Sequence, residues 1–169
     1  YADYWREINR SRRVVSFGID QPADVSAHVG QRGLASAIAL RTAHGEAEFM
    51  LRVPGLHNAR NALAAAAAAL ASGVTLHAVV GGLSHYAGIK GRLQLRSAIN
   101  GAQLIDDTYN ANPDSMRAAI DVLATTAGRK LLVLGDMGEI GAQAGQYHDE
   151  IGGYAKSQGI DQLFALGDL

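Results

Sequence analysis

The stretch from Asp106 to Met116, Asp-Asp-Thr-Tyr-Asn-Ala-Asn-Pro-Asp-Ser-Met, constrains this chain more than any other. It joins a strand-like apolar segment, Ala102-Gln103-Leu104-Ile105, to a helix-patterned one. There Met116, Ala119, Ile120, Leu123 and Ala127 share a face while Arg117 and Asp121 point away. Pro113 suits the first helical position, where its missing N–H has no partner to lose, and Asn112 suits the N-cap, where its side chain accepts an orphan amide. A strand that ends on two carboxylates and turns directly into a capped helix fits a parallel α/β sheet. In such sheets the carboxyl ends of strands face helix N-termini, and anionic ligands settle at that edge. Turn chemistry alone also accounts for these residues, since Asp, Asn and Pro are common in turns that bind nothing.

The rest of the chain divides around that junction. Val14 to Val53 reads as an antiparallel meander of short strands, Val14–Phe17, Val25–Val29, Leu34–Arg41 and Ala47–Val53, separated by glycine- and proline-bearing turns. In the last run Phe49, Leu51 and Val53 alternate with Glu48, Met50 and Arg52, as in a sheet with one solvated face. Arg10, Arg12 and Arg13 read as a solvated positive turn, and His28 and His44 as surface histidines. After Pro54-Gly55, a helix of almost unbroken alanine runs from His57 to Ala71. Alanine both favours the helix and lets a neighbouring backbone come close. Gly73 ends it, and a second helix follows from Thr75 to about His85. At the head of the first helix Asn58 and Asn61 lie three apart and share a face, a pair of amides suited to the edge of a purine base.

Tyr86 to Gly91 reads as a hinge, short and holding Gly88 and Gly91. Leu131 to Leu134 reads as a fully apolar strand of the buried parallel type, and Leu163 to Leu166 as a third parallel strand. Between them lies Gly135-Asp136-Met137-Gly138-Glu139-Ile140-Gly141, with His148 on the helix that follows. Its glycine spacing, G-x-x-G-x-x-G, is not the G-x-G-x-x-G of a dinucleotide fingerprint.

Composition narrows the partners. At 169 residues and 48% hydrophobic content the chain can bury a sizeable core. A net charge of −1 and the lack of a basic cluster argue against nucleic acid or an anionic membrane as main partner. Zero cysteines fit a reducing compartment, and no signal-peptide pattern opens the chain, so a cytoplasmic protein and a monomer are expected. The opening Tyr1 and the closing Gly167-Asp168-Leu169 give the sequence the look of a piece cut from a longer one.

Three stretches together carry a resemblance. Asp106 to Ser115, the His57-Asn58-x-x-Asn61 pattern and Gly135-Asp136-Met137-x-Glu139-x-Gly141 resemble, in order, motifs of the Mur ligases of peptidoglycan synthesis. Gly91-Arg92-Leu93 is similar to the crossing into their C-terminal domain. Within the family the likeness is to the branch that joins D-alanyl-D-alanine to UDP-N-acetylmuramoyl-tripeptide. The resemblance implies an α/β fold: residues 1–87 as the end of a P-loop-type ATP-binding domain, residues 88–169 as a truncated Rossmann-like C-terminal domain. It also implies ATP and Mg2+, with the phosphate loop and the metal ligands upstream of Tyr1. No catalytic or metal-ligating residue is assigned to the segment, and it is expected to be inactive by itself.

Roles follow the same resemblance. Asn58 and Asn61, with His57 less firmly attached, would flank the adenine; Arg92 and Asp107 would hold ribose and phosphate. Tyr109, Asn110 and Asn112 would shape the acyl and dipeptide pocket. Asp136 would stand near the incoming ammonium, and Met137 would border the same crevice. Another amino acid ligase of the superfamily, a folylpolyglutamate synthase or a non-catalytic nucleotide-binding module are the competing readings.

Overall fold

The computed structural model describes residues 1–168. A short helix α1 (Ala2–Ile8) leads into strands β1 (Phe17–Ile19), β2 (Val25–Arg32), β3 (Ala35–Thr42) and β4 (Gly45–Leu51), then helices α2 (Leu56–Ala71) and α3 (Leu76–His85). Beyond them come β5 (Gln94–Ser97), β6 (Gln103–Asp106), α4 (Pro113–Ala124), β7 (Leu131–Gly135), α5 (Ala144–Ser157) and β8 (Gln162–Leu166).

Strands β2, β3 and β4 form the antiparallel meander, with Ala27 opposite Leu40 and Ile38 opposite Phe49. Their period of two sends Val25, Ala27, Ile38, Leu40, Phe49 and Leu51 to one buried face. Helix α2 lies on that face through Ala59, Ala62, Leu63, Ala66, Ala67 and Leu70. The small alanines allow the close approach, and Leu63 and Leu70 fill the remaining space. Thr75 caps α3 by accepting the Ala78 N–H. The first strand departs from expectation. It is Phe17–Ile19 rather than Val14–Phe17, and it pairs parallel to β2, because the carboxylate of Asp24 accepts from both the N–H and the hydroxyl of Ser16 and holds that segment as a connection.

The second part is built more loosely. Strand β6 pairs antiparallel with β5, which the sequence reading had not singled out, and β7 pairs parallel with β8. Among the described residues β6 does not join the β7–β8 pair, so the three-stranded parallel sheet expected from the apolar runs is not formed. Nor is β7 buried on both faces. Leu132 and Leu134 pack against a core of Met116, Ile120, Met137, Ile151 and Ala155, whereas Leu131 and Val133 are exposed. Helix α4 ends at Ala124, which leaves Ala127 outside it, and its buried residues are Met116, Ile120 and Val122. No helix among the described residues is long and apolar enough to cross a membrane.

Candidate functional site

A cavity of about 780 Å³ opens where the head of α2 faces the turn between β6 and α4. Asn58 and Asn61 contribute from α2, Arg92 from the segment entering β5, and Asp107, Tyr109, Asn110 and Asn112 from the turn. Local chemistry fixes each wall. Gly55, with φ +93°, forms the N-cap of α2, and a Cβ there would stand 2.5 Å from His57 Cε1 and 3.2 Å from Val122 Cγ2. The absent side chain therefore makes room for the imidazole beside α4. Asn58 donates its amide to the Pro54 carbonyl at 2.7 Å, while Asn61 makes no side-chain hydrogen bond among the described residues.

The opposite wall is tied together by two backbone links. The Tyr109 N–H donates to the Gly91 carbonyl at 2.9 Å, and the Leu93 N–H donates to Asp107 Oδ1 at 3.0 Å. Gly91 has φ +74°, and a Cβ on it would meet the Tyr109 nitrogen at 3.1 Å. The guanidinium of Arg92 then lies over the Tyr109 ring, 4.1 Å from its centroid. Asn112 is the N-cap of α4 and Pro113 opens the helix; the Asn112 side chain accepts from the Ser115 N–H while Ser115 Oγ accepts from the Asn112 N–H. The Asn110 Oδ1 accepts from the Ala111 N–H at 2.9 Å, which leaves its amide group as a donor.

The two adjacent carboxylates are tuned in opposite directions. Asp106 is buried, accepts the Thr108 hydroxyl at 2.8 Å and faces Arg96 at 3.6 Å, and the Thr108 bond holds its carboxyl below the ordinary value. Burial pushes the Asp107 carboxyl up, against the pull of the Leu93 N–H. Burial likewise lowers His57, opposed by the nearby Asp107 charge. Asp106 thus anchors the turn, and Asp107 faces the cavity with an ionisation that a ligand can shift. Donors and acceptors converge from both sides here, as recognition of a polar, charged ligand requires.

Seven of the sequence-selected residues line this one cavity, together with His57. Asp136 and Met137 do not. Met137 is 2% exposed and sits in the core with Met116 and Ile120, so it does not border the crevice. Asp136 lines a separate cavity of about 330 Å³ with His148 and Asp149, and its Oδ2 accepts the Asp168 N–H at 2.9 Å. Among the described residues β7 pairs with β8 and not with β6; after it Met137 enters the core cluster while Asp136 lines the α5 side. Thr108 and Leu93, whose hydroxyl and amide bind the two carboxylates, stand inside the motifs named above but were assigned no role there.

Known proteins resemble this chain over most of its length. Residues 91–169 match the Mur ligase, glutamate ligase domain. Across 96% of its length the chain is 39% identical to UDP-N-acetylmuramoyl-tripeptide--D-alanyl-D-alanine ligase of Escherichia coli strain K12. The chain belongs to the Mur ligase family. The corresponding Haemophilus influenzae ligase is 37% identical over 99% of the chain. A crystal structure of MurF from Acinetobacter baumannii superposes with a TM-score of 0.87 at 40% identity, over 96% of this chain and 36% of that one. MurF from Thermotoga maritima, solved in complex with ADP, shares the fold with a TM-score of 0.80 at 22% identity, over 98% of this chain and 38% of that one. The chain spans 36% of the length of the Escherichia coli relative. Its mixed α/β fold matches that of Mur ligase structures, in which a Rossmann-like C-terminal domain follows the ATP-binding domain.

Proposed function

We propose that this chain is the substrate-closing part of an ATP-dependent ligase that joins D-alanyl-D-alanine to UDP-N-acetylmuramoyl-tripeptide in peptidoglycan precursor synthesis. Residues 1–87 form the end of the ATP-binding domain and residues 88–169 most of the C-terminal domain. The observation that carries the reading is the single cavity that gathers Asn58 and Asn61 from one part and Arg92, Asp107, Tyr109, Asn110 and Asn112 from the other.

A carboxylate is a poor acyl donor until an oxygen becomes a phosphate leaving group. ATP supplies that phosphoryl group; the amine then attacks the acyl carbon, and phosphate departs from the tetrahedral intermediate as the amide forms. The residues of this chain bind and orient. The Asn61 amide suits a purine edge, the fixed fork of Arg92 suits phosphate oxygens, and the Asp107 carboxylate accepts ribose hydroxyls. Tyr109 supports Arg92 from below with its ring, and Asn110 offers its amide to the acyl and dipeptide side. Asp136 opens on a different cavity, so a role beside the incoming ammonium requires that the two loops approach when substrate binds.

The magnesium ion that accompanies ATP would neutralise phosphate charge, and its protein ligands are proposed to lie outside this segment. The sequence also holds no G-x-x-x-x-G-K-[ST] loop. We infer that the segment needs the rest of the longer protein to act as a ligase. Phosphate release by the longer protein, measured with Mg-ATP and UDP-N-acetylmuramoyl-tripeptide, tests the reading. Release that depends on D-alanyl-D-alanine supports it. Release that depends on another amino acid, or no release, overturns the assigned reaction.

A further inference from the structure

The loop that follows β7 is tied to α5 by one imidazole. The Met137 N–H donates to His148 Nε2 at 2.9 Å, and His148 Nδ1 lies 2.7 Å from the carbonyl oxygen of Ala144, one turn back along α5. An amide N–H can only donate and a carbonyl can only accept, so Nε2 must hold a lone pair and Nδ1 the proton. One neutral tautomer satisfies both partners. Asp136 Oδ1 stands 4.0 Å from Nε2, at the outer edge of ion-pair range and beyond hydrogen-bond reach, so the Met137 N–H is the nearer partner of that nitrogen.

This bond reaches further than its own loop. Met137 shares a buried cluster with Met116, Ile120, Ile151 and Ala155, Ala111 packs against that cluster, and its chain neighbours Asn110 and Asn112 line the cavity. Close-packed side chains transmit displacement rather than absorb it. We propose that His148 is a positioning residue. In its neutral Nδ1–H form it fixes the Asp136-Met137 loop on α5 and, through the cluster that holds Met137 and that Ala111 packs against, the setting of Asn110 and Asn112. The proposal does not rest on the ligase reading and holds for any ligand of the cavity.

The test uses the full chain labelled with nitrogen-15. The imidazole spectrum reports which ring nitrogen of His148 carries the proton, and amide exchange reports the Met137 N–H. His148→Gln places a carbonyl oxygen close to the position of Nε2, whereas His148→Phe fills the space without an acceptor. The expected result is a protonated Nδ1 and a bare Nε2. In His148→Phe the Met137 amide should exchange about tenfold faster, as for one lost hydrogen bond, with the Asn110 and Asn112 amide signals displaced. His148→Gln should restore both. A protonated Nε2, as in a ring that donates to Asp136, overturns the proposal, and so does unchanged Met137 exchange in His148→Phe. Should His148→Phe fail to fold, the tautomer in the unmodified chain decides.

Discussion

The region up to α3 and the region from Gly91 onward solve different problems. In the first, the β2–β3–β4 meander and α2 share one continuous core, and Ile38, Leu40, Leu51 and Leu63 are each 1% exposed. In the second, a smaller cluster lies beneath α4 and α5, while Val133, Phe164 and Leu166 on the strand pair stay open to solvent. Burial of apolar area is the main source of stability, so the first region carries most of it. The second carries the polar turn. The difference teaches that the cavity sits at the border between a wall held by packing and a wall held by hydrogen bonds.

Paired truncations break or sharpen that contrast most strongly. Leu63→Ala should destabilise the chain by about 2–5 kcal/mol, and Ile151→Ala should fall at the lower end of the same range because its cluster is smaller. Chemical denaturation measures both, and a larger loss at Ile151 would reverse the ranking of the two cores. On the hydrogen-bonded wall, Asp107→Ala should weaken nucleotide binding by the intact protein by about 1–3 kcal/mol, since it removes an acceptor and leaves the Leu93 N–H unpartnered. Unchanged ATP affinity in calorimetry would remove Asp107 from the site. Gly91→Ala should cost about 1–2 kcal/mol, as its left-handed backbone disfavours a Cβ and the Tyr109 nitrogen crowds it.

The smallest effect is a titration order. With its carboxyl held low, Asp106 contributes stability that is present above the ordinary carboxylate value of 3.8 and is lost as the pH falls through its folded value. Asp107, pushed up by burial, has the opposite sign: its contribution is present below that value and is lost as the pH rises through the folded one. On acidification Asp107 should take its proton first. Carbonyl chemical shifts followed by NMR would reveal the reverse order, which would mean that Asp107 is better solvated than the cavity wall implies.

Much of this was legible in the sequence wherever a local rule governed. The Asn112 cap with Pro113 at the first helical position, the alanine helix and the alternation of Phe49 and Leu51 each depend on neighbours close in the chain. Long-range pairing was not legible. Nothing in Val14 to Phe17 discloses that Asp24 holds Ser16 and shifts the first strand forward into a parallel pair. Nor does an apolar run such as Leu131 to Leu134 disclose whether both of its faces are covered. The same limit moved Asp136 and Met137 out of the expected crevice, because where a strand ends in space depends on its partner.

The links from Gly91 and Leu93 to the 107–109 turn have a mechanical consequence. They rivet Arg92, Asp107 and Tyr109 into a single jaw, with any pivot left to the residues before Gly91. Asn58 and Asn61 belong to the other jaw, so a few degrees of rotation at the pivot would change the bite of the cavity without altering the grip of either side.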